Sequence, residues 1–182
     1  MVTKVRSTIE DLYHIPENGK AELVNGEIML MPPAGDLPAR AGGSCYISLR
    51  DHEGKTPGRA YPNNTGFRVS LPNRESFSPD ASWYTGMPTG MKFLDGAPVF
   101  AVEIRSEGDY GPVAERRIAE KRMDYFAAGT LVVWDVDIQS PDVVKSFGAD
   151  DPDNPRVFRR DEIADAEPAV PGWRFAVNDL FK

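Results

Sequence analysis

The chain has 182 residues, 41% hydrophobic and 27% charged, with a formal net charge of −7. That composition fits one soluble globular domain spanning residues 1–182, and no apolar run approaches the ~20 residues of a membrane span. The acidic balance argues against indiscriminate adhesion to nucleic acid or anionic membrane, and a lone Cys45 with two histidines excludes a disulfide framework and disfavours structural zinc.

Residues 7–16 predict a short helix, with Ser7 as its cap, Glu10 as capping-box partner and Pro16 as its stop. The polar N-terminus lacks the apolar stretch of a signal peptide, so a cytoplasmic location is expected. Residues 20–31 carry two apolar-rich runs around Asn25-Gly26, a hairpin signal because a type I′ turn needs positive φ at both positions. Pro32-Pro33 ends the second strand. Residues 38–54 predict a helix despite Gly42-Gly43. Short strands follow at 58–61 and 66–71, then at 79–84, and a glycine-rich loop fills 86–96.

Residues 98–106 (Pro-Val-Phe-Ala-Val-Glu-Ile-Arg-Ser) read as a buried strand, apolar and rich in valine. Pro112 is placed to open a helix that runs to about Ala128, with Gly129 as its stop. A second apolar strand is expected at 131–137. Residues 142–147 and 156–158 predict an antiparallel pair across a turn at 148–155, and 170–181 an extended closing segment. The order implies a mixed α/β or α+β domain with a central sheet.

Three residues stand out for chemistry. Glu103 ends the buried strand, on the same face as Arg105 and Ala101 and opposite Ile104. A charge there must be paired, metal-bound or solvated. Asp80 opens another strand after Ser78-Pro79. Lys121 lies on the 112–128 helix in a stripe with positions 114, 118 and 125 that is otherwise apolar. It either snorkels to water or pairs with Asp80 or Glu103. Two carboxylates suit magnesium, which takes hard oxygen ligands and keeps several waters, and the Ile104 carbonyl could add a third ligand. Lys121 or Arg105 could then stabilise a phosphoryl transition state.

Each residue also has a plainer reading: Asp80 as a strand-start cap, Glu103 and Arg105 as a surface pair, and Glu22 as a solvent-facing strand residue. His14 and His52 read as surface histidines; Cys45, Trp83 and Trp134 read as core. Arg105, Arg116, Arg117, Lys121 and Arg122 could form a basic groove, but Glu115, Glu120 and Asp124 interleave with them as on a mixed solvated face.

Taken in order, these pieces resemble the PD-(D/E)XK nuclease superfamily, and within it a large bacterial subgroup of restriction-endonuclease-like proteins. The carrying pieces are Ala21-Glu22-Leu-Val-Asn-Gly-Glu27 before Met31-Pro32-Pro33, then Ser78-Pro79-Asp80, then Val102-Glu103-Ile-Arg105-Ser106. Glu120-Lys121 and Tyr125-Phe-Ala-Ala-Gly129 follow, leading into Val132-Val-Trp134. The resemblance implies an αβββαβ core, metal ligands at Asp80 and Glu103, and a catalytic lysine at Lys121 that has moved from the strand to the following helix. It also implies an acidic contribution from Glu22, magnesium or manganese as cofactor, DNA as substrate, and a homodimer that cuts both strands. Arg105 stands where the plain pattern has lysine, and Ala39 or Arg40 where relatives often carry histidine. Two other readings remain: a catalytically silent nuclease-fold protein that binds a partner or nucleic acid, and a metal-dependent hydrolase of small phosphoesters.

Overall fold

The computed structural model describes residues 6–15 and 20–182. The first helix, α1 (Ile9–Tyr13), is capped by Thr8, not Ser7. Both Ser7–Glu10 and Thr8–Asp11 have the capping-box spacing. The Ser7 N–H, however, donates to the Gly26 carbonyl at 2.9 Å, while Asp11 accepts from the Thr8 N–H at 2.7 Å. The expected stop at Pro16 lies outside the described residues.

Strands β1 (Lys20–Val24) and β2 (Glu27–Met31) form the expected hairpin. Asn25 and Gly26 take φ of 53° and 72°, the left-handed pair that a type I′ turn requires. The next helix, α2 (Asp36–Arg50), starts two residues earlier and ends four earlier than expected. Pro38 thereby falls in the first turn, where its missing N–H costs nothing.

The chain continues through β3 (Arg59–Pro62), β4 (Phe67–Leu71), β5 (Arg74–Phe77), β6 (Ala81–Tyr84), β7 (Leu94–Asp95) and β8 (Phe100–Ile104). Helix α3 (Pro112–Ala127) leads to β9 (Val132–Val136), β10 (Val144–Gly148) and β11 (Asp151–Phe158). A short ladder of β12 (Ile163–Ala164) with β13 (Phe175–Ala176) and a 3₁₀ turn, Val177–Phe181, end it. The closing segment is therefore folded rather than simply extended. The expected turn at 148–155 shrinks to Ala149-Asp150, because Pro152 and Pro155 are tolerated in β11 as an edge strand.

Two sheets form, ordered β11-β10-β9-β8-β6-β3 and β2-β1-β5-β4-β7. In the larger sheet β3, β6 and β8 are successively antiparallel, and α3 carries the chain across to β9, parallel to β8. Taken as α2, β3, β6, β8, α3, β9, this is the αβββαβ order, with β4 and β5 diverted into the second sheet.

The larger sheet is covered on both faces. One face packs Phe100, Val102 and Ile104 against Ala41, Cys45 and Leu49 of α2 and against Trp173 and Phe175 of the tail. The other face packs Ala101 and Val133 against Tyr125 of α3 and against Phe67 and Phe77 of the second sheet. Tyr125 and Phe77 stack with ring centroids 4.0 Å apart. Alternation along β8 thus sends Phe100, Val102 and Ile104 one way and Ala101 the other, and Glu103 follows Ala101. His52 is buried, not superficial, because its Nε2 lies 3.0 Å from the Pro171 carbonyl under the tail.

Candidate functional site

The antiparallel pairing of β6 with β8 brings the start of one strand against the end of the other. The Asp80 N–H donates to the Val102 carbonyl at 2.9 Å, and Asp80 Oδ2 accepts from the Ile104 N–H at 2.8 Å. Within a strand residue the N–H and C=O point to the same side, so the Ile104 carbonyl also faces the Asp80 side. Gly42 of α2 passes close by: a Cβ there would sit 3.6 Å from the Asp80 Cβ.

The α3 stripe points inward as expected. Lys121 Nζ lies 2.9 Å from Glu103 and 2.9 Å from Glu22 Oε1. Tyr125, one helical turn on, donates its hydroxyl to Glu103 Oε1 at 2.6 Å. Glu22 arrives from β1 and is buried, which overturns its solvent-facing reading. It accepts from the Ser78 N–H at 2.9 Å and from Arg74 Nη1 at 2.7 Å. Arg74 is in turn held by Asp124 at 2.8 Å. Asp80 is not the partner of Lys121; its Oδ1 pairs with Lys20 Nζ at 2.8 Å.

Burial and charge act in opposition here. Desolvation alone would raise the Glu22 carboxyl, but Lys121, Arg74 and the Ser78 N–H together hold it below the ordinary glutamate value. Glu103 is pushed up, first by burial and then by the negative charges of Asp80 and Glu22, against the pull of Lys121 and Lys20. Lys121 is desolvated as well, yet the two carboxylates hold it firmly protonated.

Glu22, Asp80, Glu103 and Lys121 therefore come together, with Ile104 at their edge. Arg105 does not join them. Its guanidinium makes bonds of 2.7 Å to both oxygens of Asp135 and a further pair to Glu115, so Glu103 and Arg105 are not a surface pair. Arg122 lies over the Phe147 ring at 3.6 Å, while Arg116 and Arg117 are exposed. The basic residues of α3 thus divide between internal pairing and a solvated face. Lys20 and Arg74 carry no role in the sequence pattern, and Tyr125 figures there as an apolar member of the α3 stripe, without its hydroxyl bond to Glu103. Lys20 had a signal, since it shares a strand face with Glu22 two residues on.

Among the described residues no three His, Cys, Asp or Glu side chains already converge as a metal site. The donor chemistry nonetheless suits a hard cation. Two carboxylates from adjacent strands lie within electrostatic reach of one another beside a peptide carbonyl, and Glu103 is raised first by burial and further by the charge of Asp80. The clefts between α2 and the tail and beside α1 contain none of Asp80, Glu103 and Lys121.

A family model, Uma2, described as "Putative restriction endonuclease", matches residues 8–178. A crystal structure titled as a "putative nuclease belonging to DUF820" from Anabaena variabilis superposes with a TM-score of 0.72 and 18% identity, over 96% of this chain and 97% of that one. No curated protein matches the chain.

Proposed function

The chain belongs to the Uma2 family of restriction-endonuclease-like proteins, and from that premise we propose that it is a metal-dependent endonuclease hydrolysing phosphodiester bonds in DNA. The observation that carries the reading is the Lys121 ammonium held between Glu22 and Glu103, 2.9 Å from each.

Asp80 and Glu103, with the Ile104 carbonyl, would hold magnesium, or manganese in its place, which supplies polarisation of a phosphoryl oxygen and a bound water of lowered pKa. Lys121 has three N–H donors. Two go to Glu22 and Glu103, and the third can orient the attacking water or meet the charge that develops on phosphorus oxygens. Lys121 stays protonated, so it acts as a fixed cation and not as a base. Tyr125 fixes the rotamer of Glu103, and Arg74 with the Ser78 N–H fixes Glu22. Arg105 braces β8 against β9 through Asp135 and does not serve as the catalytic cation. Cutting both strands takes two copies, so this reading expects a homodimer, in the cytoplasm.

Asp80→Ala should abolish metal-dependent DNA cleavage in a nicking assay, and unchanged cleavage would sink the assignment. Lys121→Met should lower kcat by ~10²–10³-fold, the loss typical of one preorganised charge-stabilising donor.

One observation favours a second reading, a catalytically silent nuclease-fold protein that binds a partner or nucleic acid. Every carboxylate of the site already has an internal cation: Lys121 and Arg74 on Glu22, Lys121 on Glu103, Lys20 on Asp80. DNA binding without cleavage in magnesium or manganese would select it.

A further inference from the structure

We infer that Lys20 is an internal counter-cation of this site: its ammonium holds Asp80 when no divalent ion is bound and must leave Asp80 for one to bind. The inference rests on the metal-dependent reading above and adds to it a residue that sets the affinity.

The argument begins with placement. Lys20 opens β1, two residues from Glu22 and on the same strand face. Its Nζ lies 2.8 Å from Asp80 Oδ1, with both side chains largely buried, at 15% and 17% exposed. The other oxygen of Asp80 is taken by the Ile104 N–H. Oδ1 is thus the oxygen available to a cation, and Lys20 has it. The charge of Lys20 also reaches Glu103, where it favours the ionised form. One ammonium therefore acts on both carboxylates that would ligate a metal.

The charge count points the same way. Glu22, Asp80, Glu103 and Asp124 carry four negative charges; Lys20, Lys121 and Arg74 carry three positive ones. A divalent ion added beside Lys20 would leave the cluster with excess positive charge. With Lys20 withdrawn from Asp80, the same ion restores near-balance. The four-methylene stem of lysine lets the ammonium swing off while its base stays in the strand.

Calorimetric titration with magnesium and with manganese tests this on the full chain. Lys20→Met, which keeps the stem and removes the competitor, should tighten binding about tenfold, as expected for loss of a largely buried competing pair. Lys20→Gln, which keeps a neutral donor for Asp80, guards against misfolding of the methionine variant and should tighten binding in the same direction. Lys20→Arg should stay near wild type. A second readout is thermal unfolding. The metal-free Met variant should melt below wild type, because Asp80 then faces Glu103 unbalanced, and the metal-induced rise in Tm should be larger than in wild type.

Unchanged or weaker metal binding in both Lys20→Met and Lys20→Gln overturns the inference. If wild type binds metal and Asp80→Asn abolishes it, that outcome leaves the metal reading standing and removes only the role of Lys20. No binding by wild type or by any variant overturns both.

Discussion

Glu22 has 3% of its surface exposed, and both of its carboxylate oxygens are engaged, one by the Ser78 N–H and Lys121, the other by Arg74. A buried carboxylate is tolerated on these terms only, and removing its charge takes from Lys121 and Arg74 one of the two anionic partners each has. Glu22→Gln should therefore cost ~1–3 kcal/mol at neutral pH, the range for weakening charge-assisted hydrogen bonds whose donors keep a second partner, read by urea unfolding. Its pH dependence has a fixed sign. The folded carboxyl titrates below the reference value of 4.5, so its contribution is fully present above that value and is lost as pH falls through the folded pKa. The stability gap between wild type and Glu22→Gln should close as pH falls below 4.5; a gap that widens there contradicts this account. Tyr125→Phe is a milder probe. It leaves the stack on Phe77 and deletes the 2.6 Å hydroxyl bond to Glu103. It should cost ~1–3 kcal/mol of stability, the penalty for a buried acceptor left short of its donor.

Among the elements, α2 shows what glycine does inside a helix. Gly42 packs on Asp80, whereas an added Cβ at Gly43 would meet nothing within 4 Å. Gly43→Ala should therefore stabilise the chain by ~1 kcal/mol, the helix-propensity difference, measured as a higher denaturant midpoint. Gly58→Ala should do the reverse, because φ there is 130° and a Cβ would collide with the Trp83 indole. Elements with local punctuation were legible in the sequence: the hairpin through Asn25-Gly26, α3 through Pro112 and Gly129, β8 through its valines. Strand β5 was not, since Arg74-Glu75-Ser76-Phe77 looks polar. Its buried Arg74 and Ser76 are satisfied by Glu22, Asp124 and the Leu23 N–H, partners roughly fifty residues away that leave no mark in a local window. The site divides the same way. Asp80, Glu103 and an inward Lys121 followed from strand ends and helix period, but the pairing of Lys20 with Asp80 depended on β1 docking against the start of β6. Arg105 was misleading for the converse reason: Asp135 claims it from the neighbouring strand, at the register position opposite Glu103.

At the scale of the whole molecule, the last twenty residues close the core behind the site. Ala164, Val170, Trp173, Phe175, Val177 and Leu180 belong to the same buried cluster as Val102 and Ile104, so β8 is backed by the tail on one face and faces α3 on the other. Trp173 is the keystone of that contact. It is 2% exposed, its ring centroid lies 5.2 Å from Trp134 and 5.6 Å from both Phe100 and Phe175, and its Nε1 donates to Ser48 of α2 at 3.1 Å. Trp173→Ala should cost ~3–5 kcal/mol through lost transfer energy and a residual cavity. That is a large share of the ~5–15 kcal/mol that holds a domain together. Removing residues 163–182 takes away far more apolar contact and should abolish cooperative unfolding altogether, seen as loss of the near-ultraviolet circular dichroism transition. Glu103 points away from this cluster, toward α3. Metal affinity of the folded fraction of Trp173→Ala, measured at low temperature, should therefore stay close to wild type while Tm falls. If affinity and Tm fell together under conditions where the variant is fully folded, the tail would have to act on the carboxylates directly, and the two faces of β8 would not be the independent compartments that the packing describes.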